Sequence, residues 1–434
     1  MAKTYRPYLP EQDLLLPPSL RDWLPESHLA YFVSDVIDQV ELSAIESYYE
    51  QEERGYPPYH PRMMTKILVY GYCVGVFSSR RLQKRLQEDV GFRVLAAGNE
   101  PDFRTISDFR KLHLAALDAL FQQVLRMALE LGARKLGRVA IDGSKLKANA
   151  SQHQAMSYQR MKEQEARLRE EVRRLLQQAE AIDAAEDAEY GSHNVGDELP
   201  AELQRREERL GRIRQAKRAL EERARAEAEA EGKDDEEATK VKPEAKAQYN
   251  FTDPESRIVK GPDGFLQGYN AQIAVEPVLQ LIVGQAVTQQ ANDKRQLLPM
   301  LRTVQAQAGQ KPTAVLADHG YLSEENLQAT AKMQVEAYVA VSKQKHNQIV
   351  PPCPRGPIPK STTLLERMRR KLQTKMGRKI YARRKAIVEP VFGQIKQGQG
   401  FRQFLLRGIA KVQSEWALVC MTHNILKMHR ACYS

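Results

Sequence analysis

ArgValAlaIleAspGlySer, Arg138 to Ser144, is the stretch on which the reading of the whole chain turns. Val139, Ala140 and Ile141 form a short apolar run of strand type, with Asp142 at its end and Gly143 directly after. A carboxylate at the end of a buried strand is costly unless it meets a cation or a firm set of hydrogen bonds. ThrAlaValLeuAlaAspHisGly, Thr313 to Gly320, repeats the theme and carries Asp318 at the end of its apolar run. ValGluProValPheGlyGlnIleLys, Val388 to Lys396, places Glu389 on an expected helix. Two strand-end aspartates and one helix glutamate on a basic chain point to metal-dependent chemistry on nucleic acid.

The composition fits that direction. A chain of 434 residues has room for two or three domains and a buried core. The formal charge is +11 and the pI about 9.3, which calls for a polyanionic partner. Cys73, Cys353, Cys420 and Cys432 lie far apart with no CxxC pair, which argues against a disulfide framework and a structural zinc site. No apolar run reaches the roughly twenty residues of a membrane span. The polar start MetAlaLysThrTyrArg is unlike a secretory signal, so the expected location is the cytoplasm.

Outward from Asp142 toward the N-terminus, residues 59–134 read as helical and residues 1–58 as an N-terminal arm. Pro61 suits a first helical turn. Ser78 or Ser79 caps a helix whose Leu82 and Leu86 face inward while Arg80, Arg81, Lys84 and Arg85 face out. Thr105 or Ser107 opens a third, long helix through Phe109, Leu112 and Leu131. Three helices with a basic face fit an all-α DNA-binding domain; a solvated basic helix without a ligand fits any single arginine equally well.

Toward the C-terminus the composition changes abruptly at Tyr158. In 158–246, Leu168, Val172, Leu175, Ala179 and Ile182 form a heptad seam, as do Leu203, Leu210, Ile213 and Leu220, with Arg206 and Lys217 on skipped seam positions. The expected object is an antiparallel, coiled-coil-like hairpin broken around Gly191 to Pro200, followed by a mobile charged tract, Gly232 to Lys246. The same seam would also pair with another subunit. Strand signals return in Gly268–Val275, Leu279–Val287, Thr313–Ala317 and Glu336–Val341, with helices in Lys294–Ala306, Ser323–Met333, Leu364–Met376, Arg378–Lys396 and Lys411–His429. Pro351 to Pro359 reads as a linker.

With 158–246 removed, the segments 135–157 and 247–434 give the order strand, strand, strand, helix, strand, helix, strand, helix. That order sets strands one and four side by side in a mixed sheet with the last helix over them, so Asp142, Asp318 and Glu389 converge. Converging carboxylates repel. Magnesium or manganese relieves the repulsion through hard oxygen ligands, and two ions would clamp an in-line phosphoryl displacement. Taken singly, Asp142 or Asp318 simply starts a turn and Glu389 is a solvated helix residue; taken in this order, the catalytic reading is the stronger. Asp253 and Asp293 are read as structural, Asp293 as a helix cap. His319 is left between a substrate contact and a supporting role, and His60, His423 and His429 are read as structural.

These motifs resemble those of bacterial insertion-sequence transposases of the DDE class, from about Pro57 to Lys427. AspGlySerLys at 142–145 is similar to the first-aspartate motif and AlaAspHisGlyTyr at 317–321 to the second. Tyr381, Arg384, Glu389 and Lys396 match the third motif with one extra residue before the glutamate. AsnPheThrAspProGluSerArg at 250–257 and GlyTyrAsnAlaGln at 268–272 resemble blocks of the subgroup with an insertion between the first two strands. The resemblance implies a ribonuclease H-like α/β fold, with Asp142, Asp318 and Glu389 binding two Mg2+ or Mn2+ ions. It implies that Lys396, with Tyr381 and Arg384, contacts double-stranded DNA, both element ends and target. It also implies a homodimer or larger assembly and a bacterial, nucleoid-associated setting. The rival readings are a nuclease or resolvase that cuts without joining, and a non-catalytic DNA-binding remnant.

Overall fold

The computed structural model describes residues 19–50, 57–132, 135–190, 201–230, 233–261, 264–342 and 361–433, with 353, 354, 356 and 359 besides. The Gly191 to Pro200 break, most of the proline-rich 351–359 stretch and the first part of the N-terminal arm lie outside these residues.

Every element before the first strand is helical. Pro61 opens the helix Pro61–Cys73, with the His60 ring capping it. In Ser79–Glu88, Leu82 and Leu86 are buried while Arg80, Arg81, Lys84 and Arg85 are exposed, as the apolar spacing requires. The long helix expected from Thr105 or Ser107 is two helices, Phe103–Leu112 and Leu114–Gly132. Asp102 caps the first by accepting from the Arg104 and Thr105 backbone N–H groups, and the helix stops at His113. The break leaves Leu112 51% exposed. With Val90–Leu95 added, the described residues of 59–134 hold five helices where three were expected.

The main sheet has six strands: β1 (Arg138–Lys147), β4 (Arg257–Gly261), β5 (Gly264–Val275), β6 (Ile282–Thr288), β7 (Ala314–Ala317) and β8 (Glu336–Val339). Its order is β4-β5-β1-β7-β8, with β6 also on β5. The β6-β5-β1 side is antiparallel and the β1-β7-β8 side parallel, so the sheet is mixed and has helices packed against it. Strand β4 was not expected; it pairs with the start of β5, which begins four residues earlier than the sequence suggests. The two remaining strands, β2 (Ala155–Ser157) and β3 (Gln248–Asn250), form a separate antiparallel pair.

One apolar core runs through the sheet and the helices on both sides of it in sequence, from Val33 and Ile67 through Val139, Ile273 and Leu316 to Trp416 and Ile425. The closing helix Ile409–Tyr433 packs against Leu114–Gly132, Pro61–Cys73 and β6. A buried polar chain ties these helices together. Arg110 donates to the Tyr72 hydroxyl at 3.4 Å, Tyr72 donates to Glu415 at 3.3 Å, and Glu415 accepts from the Leu405 and Leu406 N–H groups.

The helices Tyr158–Tyr190 and Ala201–Ala230 carry a second, smaller core of Tyr158, Met161, Leu168, Leu210, Ile213, Ala216 and Leu220. Their contacts pair rising with falling numbers: Tyr158 with Glu221, Glu165 with Lys217 and Arg214, Glu171 with Arg206. The two helices therefore run in opposite directions. Arg206 and Lys217 are accommodated at the seam because Glu165 and Glu171 meet them there. Ala179 and Ile182 lie where side chains are not described. The tract expected to be mobile contains a helix, Asp235–Lys240, whose Ala238 is buried.

Candidate active site

Asp142 does not end its strand. β1 continues for five residues to Lys147 because β5 pairs with it along that length, Lys147 meeting Gly268. What ends is the neighbour: β7 stops at Ala317. The parallel register sets Ala140 against Leu316, so two residues further on Asp142 and Asp318 lie abreast on the same face. Adjacent strands stand about 4.8 Å apart. The two carboxylates thus meet where β1 loses its parallel partner and its edge opens.

Asp142 accepts from the Gly143 N–H at 2.9 Å and from Arg384 Nη1 at 3.2 Å. Burial pushes its pKa up to about 6, offset by Arg384 and reinforced by the Asp318 charge. Asp318 caps the short turn His319–Tyr321 by accepting from the Gly320 N–H at 2.7 Å, so the turn role coexists with its place beside Asp142. His319 lies 3.4 Å from the Ala340 carbonyl through Nδ1.

The helix Lys375–Gly393 brings the remaining groups. Arg384 is buried, at 8% side-chain exposure, and its guanidinium stands between Asp142 and Glu389, 4.0 Å from the latter. Burial opposes the Arg384 charge, but Asp142, Tyr381 and Asp318 outweigh it and hold its pKa above the ordinary value. Tyr381 packs beside it and is half-buried. Glu389 is 56% exposed. Past Gly393 the chain widens into a π-helical turn, Gln394–Gly398, and Lys396 donates to the Ser144 hydroxyl at 2.5 Å. Arg80, Arg81, Lys84 and Arg85 are not part of this cluster: Arg80 lies over the Phe103 ring, and Lys84 and Arg85 meet Glu88 and Asp89.

Side chains alternate along a strand, so Gly143 and Lys145 face away from Asp142 and Ser144. That opposite face holds a polar network that the sequence reading missed. Asp293 Oδ1 accepts from Asn270 Nδ2 at 2.6 Å, Gln272 Nε2 at 2.7 Å and Lys145 Nζ at 3.3 Å. The Tyr321 hydroxyl donates to Gln272 Oε1. Asp293 was expected to cap the following helix. That helix begins at Leu297 with Gln296 as its first flanking residue, so the Asp293 carboxylate is left for the network. The missed signal was available: Asn270 and Gln272 sit at alternate positions of a mostly apolar strand, and buried amides need partners. Gly143 is required here, since a Cβ would stand 2.2 Å from Gln272 Nε2 and 2.9 Å from Asp293 Oδ1.

Asp142, Asp318 and Glu389 are hard oxygen donors suited to a divalent cation. Among the described residues, however, no three acidic, histidine or cysteine side chains stand close enough together to hold a metal ion. Arg384 is the cation that the pair meets here. The donor chemistry fits a divalent ion, with Arg384 standing between Asp142 and Glu389.

Comparison with known families gives two matches. Residues 18–112 match a transposase domain (DUF772) and residues 357–429 match a transposase DDE domain. No curated protein and no solved structure matches. No helix among the described residues is long and apolar enough to cross a membrane.

Proposed function

On the premise, supported by the two domain matches, that the chain is an insertion-sequence transposase of the DDE class, we propose that it cuts DNA at the ends of its element and joins them to a target. The observation that carries this reading is the placement of Asp142 and Asp318 abreast on adjacent parallel strands, under the helix that bears Arg384 and Glu389. The strand order, antiparallel on one side of β1 and parallel on the other, supports a ribonuclease H-like catalytic fold in 135–157 and 247–434. On that reading 158–246 is a helical hairpin inserted into it.

Transposases of this class generally depend on a divalent metal. Mg2+ or Mn2+ held by Asp142, Asp318 and Glu389 would supply Lewis-acid activation of the attacking oxygen and stabilise charge on the phosphate. The reaction is two in-line displacements at phosphorus. In the first, a water oxygen bonds to phosphorus and the bond to the 3′-oxygen breaks, leaving a 3′-hydroxyl and a 5′-phosphate. In the second, that hydroxyl attacks a target phosphodiester, whose own 3′-oxygen leaves.

The chain's own groups divide the work. Asp142 and Asp318 would hold the ion against a rigid strand pair and so set where the reacting phosphate sits. Lys396, now bound to Ser144 Oγ, lies close enough to Asp142 to feel its charge and turns its ammonium to a phosphate oxygen of the DNA. Arg384 and Tyr381 hold the adjacent backbone once Arg384 leaves Asp142. Arg80, Arg81, Lys84 and Arg85 form an exposed basic face on the N-terminal helices, suited to duplex phosphates. Two element ends must be held together, so the active form is a dimer or larger.

The test is nicking of supercoiled plasmid carrying element ends, with magnesium, by wild type and by Asp318→Asn. The expected result is nicking and end release by wild type alone, with the variant reduced about 10³-fold or more. Equal nicking by both proteins would refute the site. Transfer of a pre-cut end into plasmid by wild type separates a transposase from a nuclease that only cuts.

A further inference from the structure

The two long charged helices are not uniformly self-neutralised. At many positions arginine meets glutamate: Arg167 with Glu171, Arg169 and Arg214 with Glu165, Arg173 and Arg174 with Glu170, Arg206 with Glu171, Arg225 with Glu229, while Arg218 and Arg223 make no ion pair among the described residues. Beside the β2-β3 pair, a cleft of about 690 Å³ gathers four arginines. It is lined by Arg160, Arg205, Arg209 and Arg212, all exposed, and none of these four makes an ion pair among the described residues. Arg205, Arg209 and Arg212 lie on one helix face by their spacing. The one carboxylate in the lining is Glu208. The floor is apolar, with Tyr249 and Phe251 edge to face at 5.4 Å.

Four such guanidinium groups around an apolar floor repel one another and gain most from an anion that meets several of them at once. The cleft is also close in sequence to the first carboxylate. β1 runs from Asp142 to Lys147, about 17 Å at the rise of a strand, and the chain enters the cleft at His153 shortly afterwards. Asp142 and His153 are eleven residues apart, at most about 37 Å of extended chain, comparable with the roughly 34 Å turn of a duplex whose scissile phosphate lies at Asp142.

We propose that this cleft is a second DNA-binding site, seating the backbone phosphates of the duplex about one turn from the cut, with Tyr249 and Phe251 packing against the sugars. This rests on the DNA-cutting reading above. It adds that a particular part of the charged helices, and not their outer surface at large, grips the flank.

The experiment measures binding of a random-sequence duplex, long enough to reach from the carboxylates to the cleft, across a salt series. It compares wild type, Arg205→Gln/Arg209→Gln, and the control Arg167→Gln/Arg173→Gln, whose arginines are already paired. All four positions are exposed, and thermal melts check that the variants fold. The cleft variant is expected to bind about tenfold more weakly at low salt, with a salt slope shallower by about 0.9 for each phosphate it no longer neutralises. The control should match wild type. Wild-type affinity and slope in the cleft variant, or an equal loss in the control, would overturn the proposal while leaving the DNA-cutting reading intact. Failure of wild type to bind the duplex at all would overturn both.

Discussion

The two faces of β1 solve the same problem in different ways. On the face of Gly143 and Lys145, buried polar groups are satisfied by close neighbours: Asn270 and Gln272 come from the adjacent strand in fixed register, and Asp293 closes the network. On the face of Asp142 and Ser144, the partners arrive from a helix more than two hundred residues away, through Arg384 and Lys396. The first face is held by backbone pairing and cannot shift without breaking strand hydrogen bonds. The second is held by a helix that is interrupted at the right place. Pro390 has no N–H, so the Ala386 carbonyl lacks its helical donor and takes Gln280 Nε2 instead, at 3.0 Å. The π-helical turn follows at once, a feature often found at functional sites. The first face is rigid, set by strand register, while the second, adjustable one depends on that distant helix.

The buttress of the adjustable face gives the largest expected effect on stability. Gln280 is held from behind by His423, whose Nε2 lies 3.0 Å from the Gln280 carbonyl oxygen, and by Lys427, which donates to its side chain at 2.8 Å. Burial pushes the His423 pKa down to about 4, against 6.5 for the free side chain. Because the folded state resists protonation and the unfolded chain does not, this group's contribution is fully present above pH 6.5. It is lost as the pH falls toward 4, by about 3 kcal/mol in all. Thermal melts from pH 7 to pH 4 should show wild type losing more than His423→Gln. A wild-type curve parallel to the variant's would remove His423 from the buttress.

The rigid face is probed by Asp293→Asn, which keeps the shape and removes the charge facing Lys145. Groups that orient a catalytic side chain cost about 10- to 100-fold when changed. Nicking should fall in that range while DNA affinity stays near wild type. Unchanged nicking would mean the network only supports the fold. The smallest effect is expected for Gln280→Ala, which strips the Ala386 carbonyl of its donor and costs about 1 kcal/mol of stability. Faster hydrogen exchange should then appear at residues 386–398 and not along β1; even exchange across both would contradict the two-face picture.

How much of this was written in the sequence follows from the range of the interactions. Asp142, Asp318 and Glu389 could be singled out because each sits in a local pattern, an apolar run or a helical stretch, that needs no knowledge of the rest of the chain. The strand order then brought the two aspartates abreast. Reading Asp142 as a strand end failed, because whether a strand stops is decided by its partner, and β5 continues the pairing to Lys147. The break at His113 was hidden because leucine spacing persists across it, whereas the Asp102 cap that sets the frame lies three residues before the expected start at Thr105. Asp293 was misread for a related reason. An aspartate just before a helix is usually a cap, and only the distant amides of Asn270 and Gln272 show that its carboxylate is engaged elsewhere. Pairings such as Tyr72 with Glu415 have no local signature at all.

The most direct test of the account is a calorimetric titration with Mn2+ of wild type, Asp142→Asn and Glu389→Gln, in the absence of DNA. If a fixed aspartate pair forms the site and the helix glutamate joins it by turning inward, Asp142→Asn should bind at least about 100-fold more weakly, and Glu389→Gln only about tenfold. Binding by Asp142→Asn as tight as that of wild type would contradict the account.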